Sequence, residues 1–190
     1  MAFPIAMEIK VELQDRKPST WRKLVVPIGL RYDQLHVLIQ LSFGWQNMHL
    51  YQFYTEKDQD SLIVQEFDPE LADNPFHQVS QRIAAESYVY PDLDAGPVVY
   101  EYDFGEDWLH KISLEKVLTA EELVHDEVAL PSCVRGAGPI RREDSGSENE
   151  GNGERRAGYS KKTINAQLDR WSGAGEQMIL ADDLGLRPEF

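Results

Sequence analysis

The segment Tyr100–His110 (YEYDFGEDWLH) holds a dense set of side chains able to do chemistry. Asp103, Glu106 and Asp107 can accept protons or hold a cation, and His110 can exchange a proton near neutral pH. Its DFG triplet, Asp103–Gly105, is the triplet with which a protein kinase holds Mg²⁺. A kinase also needs a glycine-rich phosphate loop and a His-Arg-Asp catalytic loop, and the 190 residues contain neither. The triplet instead reads as a tight turn between strands. Asp103 bonds local backbone there, Phe104 packs inward, and Gly105 is free to take positive φ.

Other chemistry is sparser. A zinc site needs three or four ligands, commonly at close spacings such as CxxC or HExxH. The five histidines (His36, His49, His77, His110, His125) and Cys133 show none of these, so no metal or cofactor is indicated. Cys133 reads as a small buried hydrophobe rather than a nucleophile. Paired carboxylates (Glu106/Asp107, Glu121/Glu122, Glu143/Asp144, Asp182/Asp183) are too numerous to be diagnostic. Trp21, Trp45, Tyr51, Phe53, Tyr54, Tyr100, Tyr102, Phe104 and Trp108 form an aromatic set that is either core or the lining of a recognition groove.

These residues need a scaffold, and the charge pattern limits what it contacts. The net charge is −14, and residues 56–130 alone carry nineteen acidic against four basic side chains. That balance speaks against nucleic acid as the general partner, because Lys and Arg on phosphates supply much of such affinity. One local exception is the stretch holding Arg141, Arg142, Arg155, Arg156, Lys161 and Lys162, where interspersed Glu143, Asp144, Glu148, Glu150 and Glu154 argue for a solvated loop. The start, MAFPIAMEIK, does not read as a signal peptide, and no stretch approaches a membrane span. With one cysteine, the expectation is a cytoplasmic protein without disulfides.

Met7, Ile9, Val11 and Leu13 alternate with polar residues, which predicts a half-buried strand. A turn at Asp15–Ser19 and a second strand, Thr20–Val26, complete a hairpin. Leu35, Leu38, Ile39 and Phe43 predict a helix over Tyr32–Phe43, with Asp33, Gln34, His36 and Gln40 off its apolar stripe and Gly44 as its stop. His49–Thr55 reads as a third strand. Residues 56–97 are acidic and proline-rich, with a short helical candidate near Gln78–Ser87. Val98–Tyr102 and Trp108–Leu118 predict a second hairpin, followed by a capping box at Thr119–Glu122. Gly136–Gly158 reads as a loop, Ser160 caps a helix striped by Ile164, Leu168 and Trp171, and a last helix is placed around Glu176–Leu184. The fold class is therefore α+β: a mixed or antiparallel sheet with a β-grasp-like ββαβ start, a second hairpin and C-terminal helices. Residues 1–190 read as one domain, with a core of about 7–144.

Four stretches taken together, TWRKLVVP, LRYDQLHVLIQLSFGWQNMHLYQF, VYEYDFGEDWLHKISLEKVL and PSCVRGAGPIRRED, resemble the plasmid pRiA4b ORF-three-like family over about Met7–Asp144. The positions carrying the resemblance are Trp21-Arg22, Leu35-His36, Gly44-Trp45 with His49-Leu50, Tyr102–Gly105 with Trp108 and His110, and Glu115. The resemblance implies an α+β domain of bacteria and archaea, often encoded near mobile elements and sometimes labelled resolvase-like. It brings no established activity, so no catalytic residue is carried over. Where the family has Pro-Pro-Glu-Asp-x-Gly-Gly after the cysteine, this chain has Ile140-Arg141-Arg142-Glu143-Asp144-Ser145-Gly146-Ser147.

The functional expectation is a binding or adaptor module for a protein or small ligand. Its candidate ligand-binding residues are Trp45, His49, Tyr51, Asp103, Asp107, Trp108, His110, Glu143 and Asp144. The alternative is a metal-assisted hydrolase or nucleic-acid-processing protein using Asp103, His110, Glu143 and Asp144.

Overall fold

A computed structural model describes residues 2–141, 143 and 158–174 of the chain. Asp144, Arg142, Arg155, Arg156 and the helix expected at Glu176–Leu184 lie outside the described residues. Eight strands form one sheet: β1 (Pro4–Leu13), β2 (Thr20–Pro27), β3 (Tyr51–Thr55), β4 (Asp58–Val64), β5 (Ser80–Ile83), β6 (Val98–Tyr102), β7 (Trp108–Thr119) and β8 (Ser132–Ala137). Their order across it is β5-β4-β3-β6-β7-β1-β2-β8, antiparallel throughout except for the parallel pair β4 and β5. Five helices accompany them: α1 (Tyr32–Phe43), α2 (Pro69–Ala72), α3 (Tyr90–Ala95), α4 (Ala120–His125) and α5 (Lys161–Ala174). The fold is α+β. The ββαβ opening is present, and the β6–β7 hairpin inserts between β1 and β3. Among the described residues no helix is long and apolar enough to cross a membrane.

The alternation in β1 does what period-2 patterning requires: Met7, Ile9, Val11 and Leu13 are buried, and Glu8, Lys10 and Glu12 face the wetter side. That second face carries charged pairs such as Lys23–Glu115 and Lys111–Glu56, each worth little at such exposure. The apolar face is covered by α1, whose C-terminus stops at Gly44 in the left-handed conformation with φ 78°. Every residue of α1 except Gln34 is buried, including His36, Gln40 and Ser42. The wheel reading that placed Asp33, His36 and Gln40 off the apolar stripe is corrected here, since all three are buried. The helix is enclosed between the sheet on one side and α5 and a 3-10 turn at Ala84–Glu86 on others, so its polar face is interior as well.

At one edge, β8 is closed by α5. The Asn165 carboxamide accepts from the Cys133 N–H at 2.6 Å and donates to the Cys133 carbonyl at 3.0 Å, filling the place of a ninth strand. Ile164, Leu168 and Trp171 are buried beneath α5, as the stripe predicted. The helical candidate at Gln78–Ser87 is replaced by β5 and the 3-10 turn, because Ser80–Ile83 pairs in parallel with Ser61–Val64.

Arg22 is the structural anchor of the β2–β8 side. It is fully buried, with no carboxylate partner among the described residues, and donates to the carbonyls of Ser42 (3.0 Å), Trp21 (2.8 Å) and Ala137 (2.6 Å). Its guanidinium lies between the rings of Phe43 and Tyr159. Burial lowers its pKa to about 10, so it stays charged at neutral pH. Gly138 must be glycine, because its φ is 86° and a Cβ there would lie 2.5 Å from the Ser19 carbonyl oxygen.

Candidate functional site

Strand register brings the aromatic residues to one end of the sheet. Tyr51 on β3 faces Tyr102 on β6, and Tyr102 faces Trp108 on β7. One step inward on the same face, Phe53, Tyr100 and His110 form the next row. The segment leaving α1, Trp45–Leu50, folds over this end. Trp45 packs on Trp108 with ring centroids 4.8 Å apart and on Tyr102 at 5.9 Å.

A closed hydrogen-bond network fixes that segment. The His36 Nε2–H donates to Asn47 Oδ1 at 2.7 Å, which leaves Nδ1 bare to accept from the Tyr100 hydroxyl at 2.8 Å. Gln40 Nε2 donates to the Tyr100 oxygen at 2.9 Å, and Gln40 Oε1 accepts from the Asn47 N–H at 2.8 Å. Burial drives the His36 pKa down to about 3, so the ring is neutral and the network keeps one proton arrangement. Burial likewise pushes the Tyr100 hydroxyl well above its usual range.

Tyr102 is the hub. Its hydroxyl donates to Glu143 Oε1 and accepts from the Met48 N–H at 2.9 Å, and the same Glu143 oxygen accepts from the Gln46 N–H at 2.8 Å. Burial first, and the Glu143 bond second, raise the Tyr102 pKa. Glu143 thus pins the segment following β8 onto the segment following α1.

The turn between β6 and β7 is built by aspartates. Asp103 and Asp107 hold positive φ, at 57° and 52°, and Gly105 does not. Asp103 Oδ1 accepts from the Gly105 N–H at 3.1 Å, and its carbonyl accepts from the N–H groups of Glu106 and Asp107. Aspartate adopts this left-handed region more readily than most residues, so the expected glycine role is met by side-chain bonding instead. Phe104 is 46% exposed rather than packed inward. Beside the turn, His49 Nε2 lies 3.5 Å from Asp103 Oδ2, and the Asp103 N–H donates to the Leu50 carbonyl at 3.0 Å.

Of the candidate residues, Trp45, His49, Tyr51, Asp103, Trp108 and Glu143 gather around Tyr102. Asp107 sits on the outer turn, exposed. His110 is separate from His49: it lies fully buried against Tyr100 and Phe43, with Nδ1 donating to the Trp108 carbonyl at 3.0 Å. Burial lowers its pKa to about 3. Trp45, Tyr51, Tyr102 and Trp108 are all nearly inaccessible, so the aromatic set is core at this end rather than an open groove. Among the described residues no three His, Cys, Asp or Glu side chains form a group able to hold a metal ion. In the basic stretch, Arg141 is buried and donates to the Lys17 carbonyl at 2.8 Å.

Three features escaped the sequence reading. His36 and Gln40, four apart on one helix face, position the Trp45–Leu50 segment, and that spacing was the available signal. Arg16 stacks over Trp108, its guanidinium carbon 4.8 Å from the ring centroid. Met48, Leu50 and Phe104 are 57%, 64% and 46% exposed, an apolar rim beside the His49–Asp103 contact.

The profile of the family described as Plasmid pRiA4b ORF-3-like protein matches residues 5–159. The chain is 34% identical over 114 residues to the uncharacterized protein y4hQ of Sinorhizobium fredii, a match covering 60% of this chain. The chain spans about half that relative's length, 55%. It is also similar in fold to the crystal structure of MM3350, a protein of unknown function from Methanosarcina mazei Go1. The TM-score is 0.60 and the identity 23%, over 97% of this chain and 89% of that one. The chain belongs to the plasmid pRiA4b ORF-3-like family.

Proposed function

We propose that this family member is a binding module that recognises a protein or small-molecule partner at the turn end of its sheet. The observation that carries this reading is the exposed rim of Met48, Leu50 and Phe104 around the His49–Asp103 contact. Beneath it, the indole N–H groups of Trp45 and Trp108 are buried without a hydrogen-bond partner among the described residues. Each such group costs about 1–3 kcal/mol, and natural folds retain few of them without a use. Apolar contacts on the rim would supply affinity, and the polar atoms beneath would supply direction.

The hydrolytic alternative has less support. It requires His110 to reach a substrate, yet His110 is fully buried and its Nδ1 is occupied by a carbonyl. Glu143 already accepts two hydrogen bonds at one oxygen.

The test is a thermal-shift panel and affinity capture with the wild-type chain and with Leu50→Ser/Phe104→Ser. Both positions are exposed, so the variant should fold. A ligand or partner held by the wild type and lost by the variant supports the reading. Retention of every bound species by the variant overturns it.

A further inference from the structure

The connection between β4 and β5 departs from ordinary crossovers. Parallel neighbours need a connection that returns along the sheet, and such connections normally bury an apolar side against it. Here every residue from Gln65 to Gln78 is exposed, α2 included. Phe67 is 57% exposed and Phe76 95%, with Leu71 between them at 36%. The same stretch carries Glu66, Asp68, Glu70 and Asp73 and contains no Lys or Arg.

The stretch is nonetheless held in place. On β5, Gln81 clamps Asp68 at two points, Oε1 accepting from the Asp68 N–H at 2.8 Å and Nε2 donating to its carbonyl at 2.7 Å. The Asp68 carboxylate accepts from the Glu70 N–H at 2.8 Å, and Asn74 Oδ1 accepts from the Phe76 N–H at 2.9 Å. Near its far end, His77 Nε2 lies 2.8 Å from Asp60 Oδ1 on β4. Anchoring a segment before binding reduces the ordering cost at binding.

We infer that residues 66–76 form a docking arm for a partner protein whose receiving surface is an apolar groove rimmed by Lys and Arg. Phe67, Leu71 and Phe76 supply the apolar anchors. Four carboxylates with no cation among them set the sign of the partner's rim. On a second copy of this chain, the exposed apolar rim at Met48, Leu50 and Phe104 is a poor receiving surface, because it lies beside Asp103, Glu106 and Asp107. Nucleic acid is excluded by the same charge. The arm leaves β4 at the sheet end where β3 begins, since Val64 pairs with Gln52, and it runs back along the edge to His77 beside Asp60.

The test compares the full chain with Phe67→Ser/Phe76→Ser and with Glu66→Gln/Glu70→Gln. Proteins captured from source-cell lysate by the wild type are identified, purified and titrated against all three at low and high salt. Circular dichroism and the thermal midpoint check that the variants fold. The expected result is a partner whose Kd rises about tenfold or more for the serine pair, the size of one lost hot-spot contact. Its Kd also rises with salt and with the glutamine pair. Three outcomes overturn the inference: no protein distinguishes wild type from the serine pair, the distinguishing complex ignores salt, or the only species lost is a concentration-dependent dimer of the chain itself.

Discussion

The hydroxyl of Tyr102 is hydrogen-bonded to the Glu143 carboxylate, joining residues 41 positions apart in the chain. Because Met48 donates to that hydroxyl and Gln46 to that carboxylate, three segments meet at one bond. A hydrogen bond to a charged group contributes about 1.5–3 kcal/mol, more than a neutral one. Tyr102→Phe should therefore lower unfolding stability by about 1–3 kcal/mol in urea titrations and speed amide exchange at Gln46 and Met48. A loss below about 0.5 kcal/mol, the scale of an ordinary surface substitution, would show that the bond does not hold the segment.

Arg22 should resist replacement by lysine. One ammonium cannot reproduce the planar set of donors that meets the Ser42, Trp21 and Ala137 carbonyls, nor lie flat between Phe43 and Tyr159. Arg22→Lys is expected to cost about 2–4 kcal/mol, the range for breaking a buried network. A thermal midpoint within error of the wild type would contradict this.

Stability should fall as the solution is acidified below neutrality. His36 and His110 have folded pKa values lowered from 6.5 to about 3, so both rings are neutral when folded and take up protons when unfolded. Their contribution is full above about pH 6.5 and is lost progressively as pH falls towards 3. Each ring can remove up to about 1.4 kcal/mol per pH unit in that window. Urea titrations at steps between pH 7 and 5, above most carboxylate titration, should show the slope, and His110→Phe should reduce it. A flat profile would mean that the rings titrate normally in the folded chain.

The sequence carried this account unevenly. Leu35, Leu38, Ile39 and Phe43 with Gly44 gave α1 its observed bounds, because an amphipathic period and a stop signal are local properties. β4 was hidden because Asp58, Gln59 and Asp60 are exposed and only Leu62–Val64 enter the core. β8 was hidden because only Cys133 is buried in it, and its strand character comes from pairing with β2. At the candidate site, the family signature around Tyr102 and Trp108 was legible. Convergence was not, since Glu143 reaches Tyr102 only once the path after β8 is known. Trp21-Arg22 also sharpened in meaning, with Arg22 a buried lock on carbonyls.

The most direct measurement is hydrogen exchange read by mass spectrometry on the wild-type chain, with and without a species that Leu50→Ser/Phe104→Ser fails to hold. Added protection should fall on the peptides covering residues 45–50 and 103–107. Protection confined to other segments, with these two unchanged, would contradict recognition at the turn end of the sheet.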